Sequence, residues 1–187
     1  NVRYYKALAL AQTKANDFER ARATLEKAAQ LAPADYTIKL YDAERLAAEK
    51  KFEAAITRYK TVTAKDDGNT AYALAQVGIS SVLRGSGKKD RAVKHMEAFM
   101  KEAPSVGADT QAQLWCELGQ AYESVRNKDL AMQMYTTAIE QYPYDANCHY
   151  YLCRVLGRGP EGKQECKTYL ALAPNGPFAE DAKRRSK

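Results

Sequence analysis

One short stretch of this chain recurs at a fixed interval, and that recurrence constrains the fold more than any other feature. Asp17-Phe18-Glu19-Arg20-Ala21 and Lys51-Phe52-Glu53-Ala54-Ala55 each run from a polar turn through an aromatic and an acidic residue to a small alanine, and the two alanines lie 34 residues apart. The same frame returns at Ala92 in Lys89-Asp90-Arg91-Ala92 and at Ala131 in Lys128-Asp129-Leu130-Ala131. Twelve residues after each alanine stands a terminator, respectively Pro33, Asp67, Pro104 and Pro143, and Gly162 with Pro174 keeps the interval in a fifth unit. Proline cannot extend the helical hydrogen-bond ladder and sets an extended link to whatever follows. A periodicity of this length means stacked copies of one small supersecondary unit.

A second mark agrees with the first. Each unit carries a small residue in its leading half, Ala9, Ala43, Gly78, Gly119 and Cys153, where missing bulk lets a partner helix approach. The residue before it is Leu8, Asp42, Val77, Leu118 or Leu152, apolar in all but the second unit. Composition supports helix over sheet: Ala, Leu, Lys, Glu and Gln abound and runs of Val or Ile are few. The pattern predicts paired helices over 2–15 and 18–32, 36–50 and 52–65, 70–84 and 88–102, 109–126 and 128–141, and 145–157 and 160–173. An eleventh helix is expected from Pro177 to about Arg185, with Phe178 and Ala182 on one face, to cover the apolar side of the last pair.

The fourth unit carries the fullest signature: Trp115-Cys116-Glu117-Leu118-Gly119-Gln120-Ala121-Tyr122, then Ala131, Tyr135, Ala138 and Pro143. It resembles a tetratricopeptide repeat. The resemblance extends over five units, at about 2–35, 36–69, 70–106, 112–145 and 146–176, followed by a capping helix and basic tail over 177–187. It implies an all-α solenoid of antiparallel helix pairs wound into a right-handed superhelix with a concave inner face. Three departures predict local irregularity in stacking: two extra residues within Gly85-Ser86-Gly87-Lys88-Lys89, about five extra within 105–111, and about three missing at Gly157-Arg158-Gly159-Pro160.

Several other classes fit poorly. The longest apolar stretch, around Ala7 to Ala11, is far short of the roughly 18 residues a membrane span needs. The chain is already in helical rhythm at Asn1, so an upstream segment is expected to have been removed, and the compartment, cytoplasmic or periplasmic, stays open. Of the net charge of +6, four units come from Lys183, Arg184, Arg185 and Lys187, which leaves the body near balance and argues against specific nucleic-acid binding. His95 and His149 lack partners at catalytic or metal-ligand spacing, so His95 is read as a surface residue and His149 as a packing residue. Gly157 to Gln164 has the spacing of a phosphate loop without the Ser or Thr after lysine or the preceding strand, and is read as a turn. Cys116, Cys148, Cys153 and Cys166 contain no C-x-x-C pair, so zinc is not indicated and reduced cysteines filling core positions are expected. If a disulfide forms, the expected pair is Cys148 with Cys166.

No catalytic residue, metal or cofactor is therefore expected, and the function read from the sequence is to hold a protein or peptide partner on the concave face. By register that groove is assigned Lys6, Leu10, Leu40, Glu44, Tyr72, Ile79, Gln113, Gln120, Tyr150 and Arg154, with Leu40, Tyr72 and Ile79 as its apolar middle. Leu10 and Glu44 stand where chaperone-tail binders of this family need asparagine, so that ligand is not expected. The alternative is a rigid spacer or a self-associating, homo-oligomeric element, and the alanine-rich units suggest a bacterial envelope or secretion scaffold by analogy of fold alone.

Overall fold

The computed structural model describes residues 1–63 and 69–187, and among these it contains eleven α-helices and no β-strand. They are α1 (Val2–Lys14), α2 (Phe18–Leu31), α3 (Tyr36–Ala48), α4 (Phe52–Lys60), α5 (Thr70–Gly85), α6 (Lys89–Lys101), α7 (Ala108–Ser124), α8 (Lys128–Gln141), α9 (Ala146–Leu156), α10 (Pro160–Leu172) and α11 (Ala179–Arg185). The terminator Asp67 lies outside the described residues, and α4 ends at Lys60, short of the expected end at residue 65. The chain divides into two compact units, Asn1–Lys88 with Ala103–Ser105, and Lys89–Glu102 with Val106–Lys187. Their boundary falls in the turn from Gly85 to Lys89, one of the places where the repeat spacing departs from 34.

Local chemistry sets the helix ends. Asx residues cap five of the helices: Asn1 accepts from the Arg3 amide, Asp17 from Arg20, Asp35 from Thr37, Asn127 from Leu130, and Asp145 from both Asn147 and Cys148. The turn after each leading helix places one residue at positive φ: Asn16, Lys50, Gly87, Arg126 and Gly157. Two of the five positions use glycine, which adopts that conformation without steric cost. At the other three the helix pair imposes it on residues with a Cβ.

In the first unit α3 packs on α1, α2, α4 and α5; in the second, α7 packs on α6, α8 and α9, and α9 also on α10 and α11. The recurring alanines Ala21, Ala55, Ala92 and Ala131 are wholly buried, as are the small residues Ala43 and Cys153 of the leading helices. Gly119 shows why bulk is excluded there, since a Cβ on it would lie 2.6 Å from Cε1 of Tyr135, itself fully buried. Gly78 faces the Tyr59 ring in the same way. Burying a side chain of this size stabilises the fold by about 1.5–3 kcal/mol relative to leaving it exposed.

The cap forms as expected, its helix starting at Ala179 rather than at Pro177. Phe178 stacks on Tyr150 with ring centroids 4.1 Å apart and planes 2° from parallel, while Ala179 and Ala182 are buried against the last pair. The expected disulfide partner is corrected: Cys153, not Cys148, is joined to Cys166, with Cα atoms 5.3 Å apart. Cys153 stands level with Cys166 across the antiparallel pair, whereas Cys148 is five residues, roughly 7 Å, further along α9. Cys148 belongs instead to the core cluster of Cys116, Ala131, Tyr135 and Leu152, and its thiol is hydrogen-bonded with that of Cys116.

Candidate functional site

Residues assigned to the inner face lie on the leading helices α1, α3, α5, α7 and α9, and the structure separates them into accessible and buried sets. Leu40, Ile79 and Tyr150 are buried, with 4, 4 and 5% of their surface exposed, so they are not open anchors of a groove. The reason is packing between successive leading helices: α3 lies between α1 and α5, and residues on its seam are covered. Tyr150 is covered by the cap and its hydroxyl donates a hydrogen bond to Asp181 Oδ2 at 2.9 Å. Lys6, Leu10, Glu44, Tyr72, Gln120 and Arg154 are partly buried and Gln113 is exposed.

The first unit brings Lys6 of α1 to the start of α3, where its ammonium donates to Asp35 Oδ2 and Thr37 Oγ1, each at 2.8 Å. Burial works against the charge on Asp35, but Lys6 and Thr37 more than offset it and hold its carboxyl below the usual range. Glu44, two turns further along α3, is different. Burial pushes its carboxyl up to about 7, and the only opposing influence is the charge of Lys14. Glu44 in turn adds to the burial that raises the Tyr59 hydroxyl.

In the second unit three helices converge on one carboxylate. Glu123 of α7 receives a bidentate pair from Arg154 of α9, Nε to Oε1 at 3.0 Å and Nη2 to Oε2 at 2.7 Å, and a hydrogen bond from the Tyr135 hydroxyl of α8 at 2.9 Å. The Arg154 guanidinium also lies over the rings of Tyr151 and Tyr150, 5.2 and 5.8 Å from their centroids. A planar cation fixed on both sides presents a rigid polar surface.

The repeat register did not reveal an ion-pair network in the first unit. Arg45 is buried and bonds Asp42 at 2.8 Å and Glu49 at 2.9 Å, while Arg58 reaches Asp42 at 2.7 Å. Asp42, Arg45 and Arg58 border a cavity of about 350 Å³ floored by Leu25, Ile38 and Pro33 on helices α2 and α3 and the link between them. The available signal was Asp42 itself, standing where other units have Leu or Val, with Arg45 one turn later. Among the described residues no three His, Cys, Asp or Glu side chains gather as a metal site, and no helix is long and apolar enough to cross a membrane.

Known proteins with this arrangement of helices share its repeat. The tetratricopeptide repeat profile matches residues 2–35 and 112–145, the first and fourth units. No curated protein matches the sequence. A thermophilic tetratricopeptide repeat protein of Thermus thermophilus superimposes with a TM-score of 0.69 at 18% identity, over 100% of this chain and 97% of that one. YrrB, a tetratricopeptide repeat protein with an unusual peptide-binding site, gives 0.55 at 14% identity, over 96 and 90%. A chain of the APC/C hetero-tetramer Cut9–Hcn1 gives 0.54 at 19% identity; all of this chain is covered, but it spans only 43% of that chain. At such identities the likeness to these structures is one of fold. The profile is matched in two units and the spacing of its small residues and terminators is carried through the others, so the first and fourth units match the tetratricopeptide repeat and the described helices share the fold of proteins built from it.

Proposed function

We propose that this chain is a non-catalytic interaction scaffold whose leading-helix face holds a segment of a partner protein. One observation carries the reading. At the position after the small packing residue, four of five units leave the side chain partly exposed, and its chemistry differs each time: Leu10, Glu44, Gln120 and Arg154. A position that is structurally equivalent, accessible and chemically varied suits sequence-selective recognition, whereas the equivalent second-helix alanines serve packing alone. The peptide-binding site of YrrB and the assembly containing Cut9 are examples of interaction by the same fold and support the reading by analogy.

The contact set is narrower than the register suggested. Leu40, Ile79 and Tyr150 hold the helices together, and recognition falls to Lys6, Leu10, Glu44 and Tyr72 in the first unit and to Gln113, Gln120 and Arg154 in the second. Partners captured with the isolated chain should lose about 2 kcal/mol of affinity, roughly thirtyfold, on Tyr72→Ala, as aromatic contacts commonly do. Neutralising Lys183 and Lys187 to Gln should change affinity little; Arg184 and Arg185 are left in place because both pair with Asp181 of the cap. If the tail variant abolishes binding at moderate salt while Tyr72→Ala binds normally, the face is not the site. A mass that rises with concentration in the absence of any ligand, with no partner captured, would transfer the function to self-association.

A further inference from the structure

Carboxylates with restricted exposure on α3 and its flanks are matched to cations, with one exception. Asp35 has Lys6, Asp42 has Arg45 and Arg58, and Glu49 has Arg45 and Lys51. Glu44 has no hydrogen-bond or ion-pair partner among the described residues. Its counterpart in register, Arg154, is clamped by Glu123 from the preceding leading helix. The residue of α1 that corresponds to Glu123 is Thr13, which is nearly buried and uncharged. Lys6, one turn before Leu10, is committed to Asp35 and Thr37.

We propose that Glu44 is the acceptor of a cation supplied by the bound partner, a lysine or arginine side chain of an extended basic segment; this rests on the leading-helix face being the binding face. Three features favour such an occupant. A partly buried carboxylate without a counter-charge destabilises the free chain, and an incoming ammonium or guanidinium removes that penalty. Leu10 and Ile79 hold the register position of Glu44 on the flanking helices α1 and α5, and Leu10 is partly exposed, so the equivalent position on the neighbouring helix is apolar and suits the methylene stem of a lysine or arginine. The groups acting electrostatically with Glu44 are Lys14 of α1, which favours its ionisation, and Tyr59 of α4, which is neutral at ordinary pH. Neither is an ion-pair partner that a ligand would have to displace.

Because the carboxyl titrates near 7 when the face is empty, cation binding is coupled to release of its proton. The competent, ionised fraction rises about tenfold between pH 6 and pH 8, and apparent affinity should rise by the same factor. The probe is the peptide acetyl-Leu-Lys-Leu-Lys-Leu-amide, with an analogue carrying acetyl-lysine in both lysine positions. Binding is measured by calorimetry, and the carboxyl carbon of Glu44 is followed by NMR across pH.

The lysine peptide should bind about tenfold more tightly at pH 8 than at pH 6 and lower the Glu44 midpoint by more than one unit. The acetylated analogue and the Glu44→Gln variant should each lose the pH dependence and most of the affinity. Equal affinity for the two peptides, no binding of the lysine peptide at millimolar concentration, or an unmoved Glu44 midpoint at saturation overturns the proposal. Amide shifts on α1 and α3 separate this outcome from failure of the face itself. If they move while Glu44 does not, the face binds without this contact; if saturation moves neither, both readings fall.

Discussion

Both ring nitrogens of His149 are engaged, Nδ1 with Glu165 Oε2 at 2.5 Å and Nε2 with the Pro143 carbonyl at 3.0 Å. Each partner accepts, so the ring must carry a proton on both nitrogens to satisfy them. Burial opposes that charge, but Glu165, the Pro143 carbonyl and the more distant Asp145 outweigh it and hold the imidazole above its ordinary 6.5. A folded-state value raised in this way contributes stability that is fully present below the unfolded value and is lost as pH rises through the folded one. The advantage in melting temperature of the native chain over His149→Gln should therefore be largest near pH 6 and shrink by pH 9, and an advantage constant with pH would disprove the imidazolium. Titration of Glu44 is common to both proteins and cancels in that difference. The sequence placed His149 in a packing position but could not show its partners, because Glu165 reaches it only once α9 and α10 have paired and the Pro143 carbonyl only once the link before α9 has turned back on that helix.

The helices themselves were legible because their signals are local: an Asx cap, a turn residue, a buried alanine, a proline twelve positions on. Pairing across helices was less so. Cys148 and Cys153 both lie on α9 within reach of α10 by register alone, and only the level at which the two helices face each other selects Cys153. Leu40 and Ile79 looked like groove anchors because an apolar residue on the inner register reads as unpaired; the seam between successive leading helices, which buries them, is a contact between repeats that one repeat's pattern does not encode. The cysteine bond should matter at this scale. Closing a loop of 13 residues restricts the unfolded chain, so Cys153→Ser together with Cys166→Ser should lower unfolding stability by about 3 kcal/mol. Urea denaturation reads this as a shift in midpoint, and an unchanged midpoint with and without reductant would mean that the bond adds nothing to the paired helices.

For the molecule as a whole, the division into two units makes a prediction of its own. The second contains α6 to α11, their clusters around Tyr135 and Tyr169, the Glu123 network and the cap. A fragment of residues 89–187 should accordingly be helical by circular dichroism and melt in one cooperative step, whereas a featureless, gradual loss of signal would show that it depends on α1 to α5. The extra residues between Gly85 and Lys89 were visible in the sequence as an irregular turn, but a change in spacing alone does not tell a loose stack from a boundary between compact bodies. The bond between Cys153 and Cys166 also has a mechanical consequence. Tension applied to the chain ends passes directly from one sulfur to the other, and the segment between them carries none of the load even when every helix has been pulled apart. With 13 residues of separation hidden behind the bond, the fully stretched oxidised chain is shorter than the reduced one by about 40 Å.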